Sequence, residues 1–224
     1  MAPCGSVNRR GVYANVHPPT FYIMKTIIFD IDGTLTDMWP IEKSVLLTML
    51  GKEAGSEIEK LYLSGVKDTY SIFCIVSKRK IGKSNYRIIY NKKFSFLENK
   101  DQLPLPEKYP LVDLIKKNKP LYRFVYATGG QAKETRYVLK CLKLDSIFDF
   151  KNSLDKSNYR FSKSTGLPFN KIKATFSDCL LISDSQNDCN GAIKAGVPFI
   201  KIKPRQILSN FLPPLAKSRK RTKL

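Results

Sequence analysis

Ile27, Ile28 and Phe29 follow one another without a polar break and run straight into Asp30, Ile31, Asp32 and Gly33. A strand with one wet face alternates apolar and polar residues. A continuous apolar run suits a strand covered on both faces, which is the habit of parallel sheets flanked by helices. The run therefore constrains the chain to an α/β layering. It also poses a problem, because an unpaired carboxylate inside such a layer is costly. Asp30 and Asp32 stand two positions apart, so they project to the same side while strand geometry holds. Either they face water or they hold something.

Later segments keep the rhythm. "LYRFVYATGG" (121–130), "SIFDF" (146–150), "CLLISDS" (179–185) and "PFIKI" (198–202) read as further strands. Residues 131–144 read as a helix presenting Tyr137, Val138, Cys141 and Leu142 on one face, and 187–196 as a short helix that Gly196 closes. Strands separated by helices predict a mostly parallel, Rossmann-like sheet. Residues 38–120 break the pattern with segments that favour helix, 41–50, 56–63 and 68–80, and with 85–99, which is balanced between helix and strand by its aromatic and β-branched content. A proline-punctuated loop, "LPLPEKYP", and a helix, "LVDLIKKN", lead back to the sheet. Tyr70, Phe73, Tyr86 and Tyr90 in this insertion offer the lining of a substrate pocket or the packing of its core, and core packing is the expected role.

Composition narrows the partners. Lys and Arg number 39 against 19 Asp and Glu, a formal charge of +20, which favours phosphorylated small molecules, nucleic acid or acidic surfaces. The 5 cysteines are scattered without a CxxC pair, so neither a zinc site nor a disulfide framework is indicated, and a reducing, cytoplasmic setting is expected. No apolar run approaches the roughly 18–20 residues of a membrane span. Residues 1–23 lack any sustained period and carry the only histidine, His17; they read as a disordered leader or as the result of a mis-assigned start, with Met24 the natural beginning. Residues 204–224 form a basic tail, expected to be solvated.

In sheets of this class ligands sit beyond the C-terminal strand ends. Those ends supply Asp30 and Asp32; Thr128 and Gly129; and Asp184, Ser185 and Asp188. Convergent carboxylates repel one another unless a cation neutralises them, and an all-oxygen set selects a hard ion, magnesium being the expected one. The segment "DIDGTLTD" (Asp30–Asp37) resembles the first signature of the haloacid dehalogenase-like hydrolases, DxDGT(L/V). "ATGG" (Ala127–Gly130) is similar to the second signature and "ISDSQND" (Ile182–Asp188) to the fourth, over roughly Thr26–Lys203 apart from the insertion.

The resemblance implies a hydrolase core over residues 24–37 and 121–203, with residues 38–120 a mainly helical cap inserted after the first motif. It implies that Asp30 is the nucleophile, forming a phospho-aspartate, and that Asp32 is the general acid and then the base. Thr128 and the Gly129 N–H would bind the phosphoryl oxygens. Magnesium would be held by the Asp30 carboxylate, the Asp32 backbone carbonyl and Asp184, with Asp188 as a ligand or just behind one. The third signature is a lysine, and Lys163, Lys156 and Lys151 all lie in the right interval, Lys163 being preferred because a Gly/Pro turn follows it. Ser183 stands where the family has glycine, a small-for-small change expected to matter little.

Asp32 argues for phosphoryl transfer over dehalogenation. The reading is a magnesium-dependent phosphomonoesterase acting on a small phosphorylated metabolite. A phosphatase of nucleic-acid ends, a phosphomutase and a basic binding protein on a retired scaffold are the alternatives. No GxxxxGK[ST] loop is present.

Overall fold

The structure, a computed structural model, describes residues 25–208. The leader at 1–23 and most of the basic tail are expectations that lie outside those residues. Strands β1 (Thr26–Phe29), β2 (Arg123–Tyr126), β3 (Cys179–Ser183) and β4 (Phe199–Lys201) form one parallel sheet in the order β2-β1-β3-β4. The two central strands are buried along their whole length, as their unbroken apolar runs require. Phe29 is level with Tyr126 on one side and with Ile182 on the other, so three strands end at one height.

Side chains alternate across the sheet. Ile27 and Phe29 face one apolar layer; Ile28, Val125 and Leu181 face another. The second layer is closed by α7 (Leu167–Thr175) through Phe169 and Ile172, and by α8 (Gln186–Ala195) through Ala192 and Ala195. The first layer is closed by α5 (Leu111–Asn118) and α6 (Ala132–Cys141), and continues into the inserted helices. These are α1 (Trp39–Leu50), α2 (Gly55–Leu63), α3 (Thr69–Ser77) and α4 (Lys83–Asn99).

The balanced segment at 85–99 is helical. Tyr86, Tyr90, Phe94 and Leu97 recur at helical spacing and are buried, while Ile88, Ile89 and Phe96 stay exposed. Tyr86 stacks against Tyr70, Phe73 and Tyr90 with ring centroids 5.4 to 5.6 Å apart. α4 is tied to the core where the Tyr90 O–H donates to Glu134 Oε1 at 2.5 Å and Lys133 Nζ donates to Ser95 Oγ at 2.6 Å.

Two sequence expectations need correction. "SIFDF" is no strand: Phe148 makes one isolated parallel bridge to Phe124, and the chain then turns into a 3-10 turn at Phe150–Asn152. Asp149 starts that turn by accepting from the Asn152 N–H, which ends extended pairing. The apolar residues are there to fill the core, Phe148 lying 5.9 Å from Phe29. The face of α6 is also shifted, with Thr135, Val138 and Leu139 buried and Tyr137 and Cys141 at its margin. Helix α7 was not anticipated at all. No helix among the described residues is long and apolar enough to cross a membrane.

Candidate active site

Because three parallel strands end level, the residues just past them meet. Asp30 leaves β1 and is nearly buried, its Oδ1 accepting from the Ile31 N–H at 2.8 Å. The chain then wraps tightly: the N–H groups of Thr34, Leu35 and Thr36 turn back to the Ile31 carbonyl. Gly33 sits in this turn at φ +72, a conformation that favours glycine. A Cβ there would stand 2.2 Å from Asp184 Oδ2, so the missing side chain is the space that the Asp184 carboxylate occupies. Thr34 secures it, its Oγ1 donating to Asp184 Oδ1 at 3.0 Å and accepting from the Asp184 N–H at 3.2 Å.

Asp32 stands at the mouth, where its Oδ1 accepts from the Met38 N–H at 2.8 Å. Asp32 keeps solvent access, yet the protein crowded around it strips part of its hydration, and this, with Asp30, Asp37 and Asp184 nearby, pushes its pKa up to about 6. Burial also raises Asp184, with Asp30 adding to the effect.

Of the three lysines, Lys163 reaches the carboxylates. Its Nζ lies 2.7 Å from Asp30 Oδ2 and 2.6 Å from Asp188 Oδ2. Burial alone would lower its proton affinity, but Asp30 and Asp188 outweigh burial and the pKa is raised. One ammonium cannot neutralise two enclosed carboxylates, so burial and Asp30 together push Asp188 up to about 7. Lys156 is half-buried at the edge of the site, and Lys151 lies exposed on the 3-10 turn.

Lys163 is carried by a 3-10 turn, Lys163–Thr165, laid against α8. A Cβ on Gly191 would stand 2.0 Å from the Lys163 carbonyl oxygen, so this contact exists only because position 191 is glycine. Gly191→Ala is therefore expected to cost about 1–3 kcal/mol by overpacking and to lower turnover by displacing Lys163. Gly129→Ala makes the comparison, since its Cβ would meet nothing within 4 Å. Thermal melts of the two should show a drop for position 191 and none for 129.

Thr128 follows β2, its N–H donating to the Leu154 carbonyl at 2.9 Å and its Oγ1 accepting from the Gly130 N–H at 3.1 Å. It does not cap α6: Gln131 and Glu134 do that reciprocally. Ser183 contradicts the expectation that it matters little. Its Oγ donates to Asp188 Oδ2 at 2.8 Å and accepts from the Ser185 N–H at 3.1 Å, bonds that glycine could not make. Asp30, Asp32, Met38, Glu42, Thr128, Lys163 and Asp184 border one cavity of about 280 Å³. Thr34, Gly191 and Glu42 went unremarked in the sequence, and Ser183 was named there only as a small stand-in for glycine. Only the threonine and serine, each beside an acidic strand end, carried a local signal.

Among the described residues no three acidic, histidine or cysteine side chains form a ready-made metal cage. Magnesium needs no such cage, since it binds through one or two carboxylates and completes its shell with water and substrate phosphate. The donor chemistry fits that demand: Asp30, Asp32, Thr128 and Asp184 offer oxygens on one cavity, and Asp188 Oδ1 is buried without a hydrogen-bond partner among the described residues.

A family model described as haloacid dehalogenase-like hydrolase matches residues 24–196. The chain belongs to that family. No curated protein matches it. Solved structures do. A family IA, variant 3 hydrolase of this family from Entamoeba histolytica is 17% identical, with 80% of this chain and 84% of that one covered at a TM-score of 0.61. A predicted phosphoglycolate phosphatase from Haemophilus somnus is 20% identical over 81% of this chain and 86% of that one, TM-score 0.61. CbbY from Rhodobacter sphaeroides, in complex with xylulose-(1,5)bisphosphate, is 16% identical over 79% and 84%, TM-score 0.57. At these identities the likeness is one of fold. This haloacid dehalogenase-like hydrolase thus shares a parallel-sheet core with them, and its chemistry has to be argued from its own site.

Proposed function

We propose that the chain is a magnesium-dependent phosphomonoesterase that acts on a small phosphorylated metabolite through a phospho-aspartate. The observation that carries this reading is the pairing of Asp30 and Asp32 on one cavity with Lys163 2.7 Å from Asp30. Asp30 attacks phosphorus as the ester P–O bond breaks, and Asp32 gives its proton to the departing alkoxide. Asp32 then takes a proton from water as that water attacks phosphorus, releasing phosphate and restoring the Asp30 carboxylate. Thr128 Oγ1 and the Gly129 N–H hold phosphoryl oxygens, and Lys163 offsets their charge. Asp188 and Ser183 hold Lys163 in place. The Asp30 carboxylate, the Asp32 carbonyl and Asp184, with Asp188 as a ligand or just behind one, would hold magnesium, which when bound would further neutralise the phosphoryl charge.

A carboxyl with pKa near 6 is suited to carry a proton into a neutral-pH reaction and to accept one afterwards. The inserted helices α1–α4, within residues 38–120, act as a cap that closes over the leaving group and excludes water. The free thiols of Cys74, Cys141, Cys179 and Cys189 suit a cytoplasmic setting.

The test is phosphate release from a panel of phosphomonoesters with and without magnesium, in which only the magnesium arm should turn over. The panel also isolates Asp32. Asp32→Asn should lower kcat/KM by about 10²–10⁴-fold on alkyl phosphates, yet far less on p-nitrophenyl phosphate, whose leaving group needs no proton. Equal losses on both would remove Asp32 as the general acid.

A further inference from the structure

A second cavity, of about 250 Å³, joins the catalytic one at Gly129, Gly130 and Glu42 and runs between the inserted helices and the core. We propose that it binds a second anionic group, so that the preferred substrate is a phosphomonoester whose leaving group itself carries a phosphate or a carboxylate. The inference rests on the hydrolase reading above and deepens it.

Cations converge on this space from two parts of the chain. Lys83 and Arg87 come from the start of α4, Lys67 from the turn before α3, and Lys156 from the core loop after Leu154. Among the described residues no carboxylate lies within ion-pairing distance of any of the four. Lys83 is held over the Tyr70 ring at 5.4 Å and Lys67 over Tyr62 at 3.3 Å, contacts that orient an ammonium without neutralising it.

The cavity also has acidic members: Asp68 and Glu134 accept hydrogen bonds from other groups, and Glu42 has burial acting on it. Asp68 caps α3, accepting from the Ser71 N–H at 3.0 Å and from its Oγ at 2.7 Å. Glu134 accepts from the Tyr90 O–H at 2.5 Å and from the Gln131 N–H at 3.0 Å. Burial, with Glu134 beside it, drives Glu42 well up, toward its neutral form. Four cations thus face one ordinary carboxylate, Asp68, whose charge reaches Lys156, and an excess of positive charge remains.

Lys156 records the imbalance. Its backbone N–H is fixed to the Gly130 carbonyl at 3.1 Å, which aims the residue across the seam. Burial lowers its proton affinity, and Arg87, Lys163 and Lys83 lower it further. A solvated basic face, the ordinary fate of charge in a chain of +20, spreads its cations outward over one element. Here four cations from both sides of the seam border one concave space, Lys156 half-buried and Lys67, Lys83 and Arg87 open to solvent at its rim. Cavities of this size lie below the roughly 300–1,000 Å³ of drug-sized pockets, so the leaving group is short.

The experiment compares matched substrates: glycerol 3-phosphate against 3-phosphoglycerate for a carboxylate, and fructose 6-phosphate against fructose 1,6-bisphosphate for a phosphate. The doubly anionic member of at least one pair should show a kcat/KM about 10- to 100-fold higher, the worth of one charge-assisted contact. Arg87→Ala and Lys156→Ala should shrink that ratio about tenfold, whereas Lys117→Ala, exposed on α5, should leave it alone. Ratios near one in the wild type, or ratios unmoved by both variants, overturn the proposal. Faster turnover of oligonucleotide 5′-phosphates than of any small ester overturns it in favour of nucleic-acid ends. Calorimetry of the same four compounds on Asp30→Asn reads the second anion without turnover. An equal Kd within each pair rejects the second-anion site, whereas a retained preference with no turnover in the wild type rejects the hydrolase reading alone.

Discussion

Asp30→Asn should abolish phosphate release, by on the order of 10⁴-fold or more, while the protein melts no lower than the wild type. The two halves of this result have separate causes. An amide oxygen is no nucleophile, so the covalent step is lost outright. The fold, by contrast, gains from the change. In the native site one ammonium serves two buried carboxylates, and Asp188 is pushed up to about 7 as a consequence. Asparagine keeps the volume and reduces the trio to one cation and one anion, and its single oxygen accepts from the Ile31 N–H or from Lys163 but not from both. Phosphate release and a melting curve on the same preparation check both halves. Residual turnover within tenfold of wild type would mean that Asp30 is not the nucleophile.

Lys163→Met acts in the opposite sense and should cost both activity and stability. Methionine keeps the apolar reach of the lysine stem but leaves Asp30 and Asp188 enclosed without a counter-charge. Breaking a buried ion pair from one side costs about 3–5 kcal/mol, and losing a charge aimed at the phosphoryl group costs about 10²–10³ in kcat. The loss also has a pH signature. With the ammonium gone the two carboxylates compete for a proton, so a folded-state pKa rises above its unfolded value. The folded chain then holds a proton that the unfolded chain releases, and stability rises as pH falls from neutral toward the ordinary carboxylate range. Urea titrations at several pH values read this slope. Adding Asp188→Asn should restore part of the stability and none of the activity; a double variant as unstable as the single one would contradict the charge argument.

Much of this molecule could be read from its residues because several levels agree. Thr26–Phe29 is buried on both faces as its composition demands, and Asp30, Asp32, Thr128, Asp184 and Asp188 meet because the strands that carry them end level. What stayed hidden depends on contacts between distant segments. The glycine at 191 reads as a weak spot in a helix until the Lys163 carbonyl is seen 2.0 Å from where its Cβ would be. "SIFDF" has the composition of a strand, yet Asp149 diverts its backbone and Phe148 is spent on the aromatic core. Tyr70, Tyr86 and Tyr90 were read as core, and they pack as core. The same three rings also wall a cavity, a double role that no period in the sequence announces.

The position of β1 in the middle of the sheet has a consequence for how the enzyme comes into being. Its partners on both sides lie beyond the long insertion, so the strand bearing Asp30 emerges early and waits for neighbours that are made much later. Parallel pairing between such distant segments closes large loops before any contact rewards it, and folding dominated by such pairings is slow. Meanwhile the helices between β1 and β2 can form from local contacts alone. The carboxylates have their lysine only where α8 and the 3-10 turn lie against each other, in segments made long after β1. A half-made chain therefore carries Asp30 in water, uncompressed and unpaired, before the rest of the site exists.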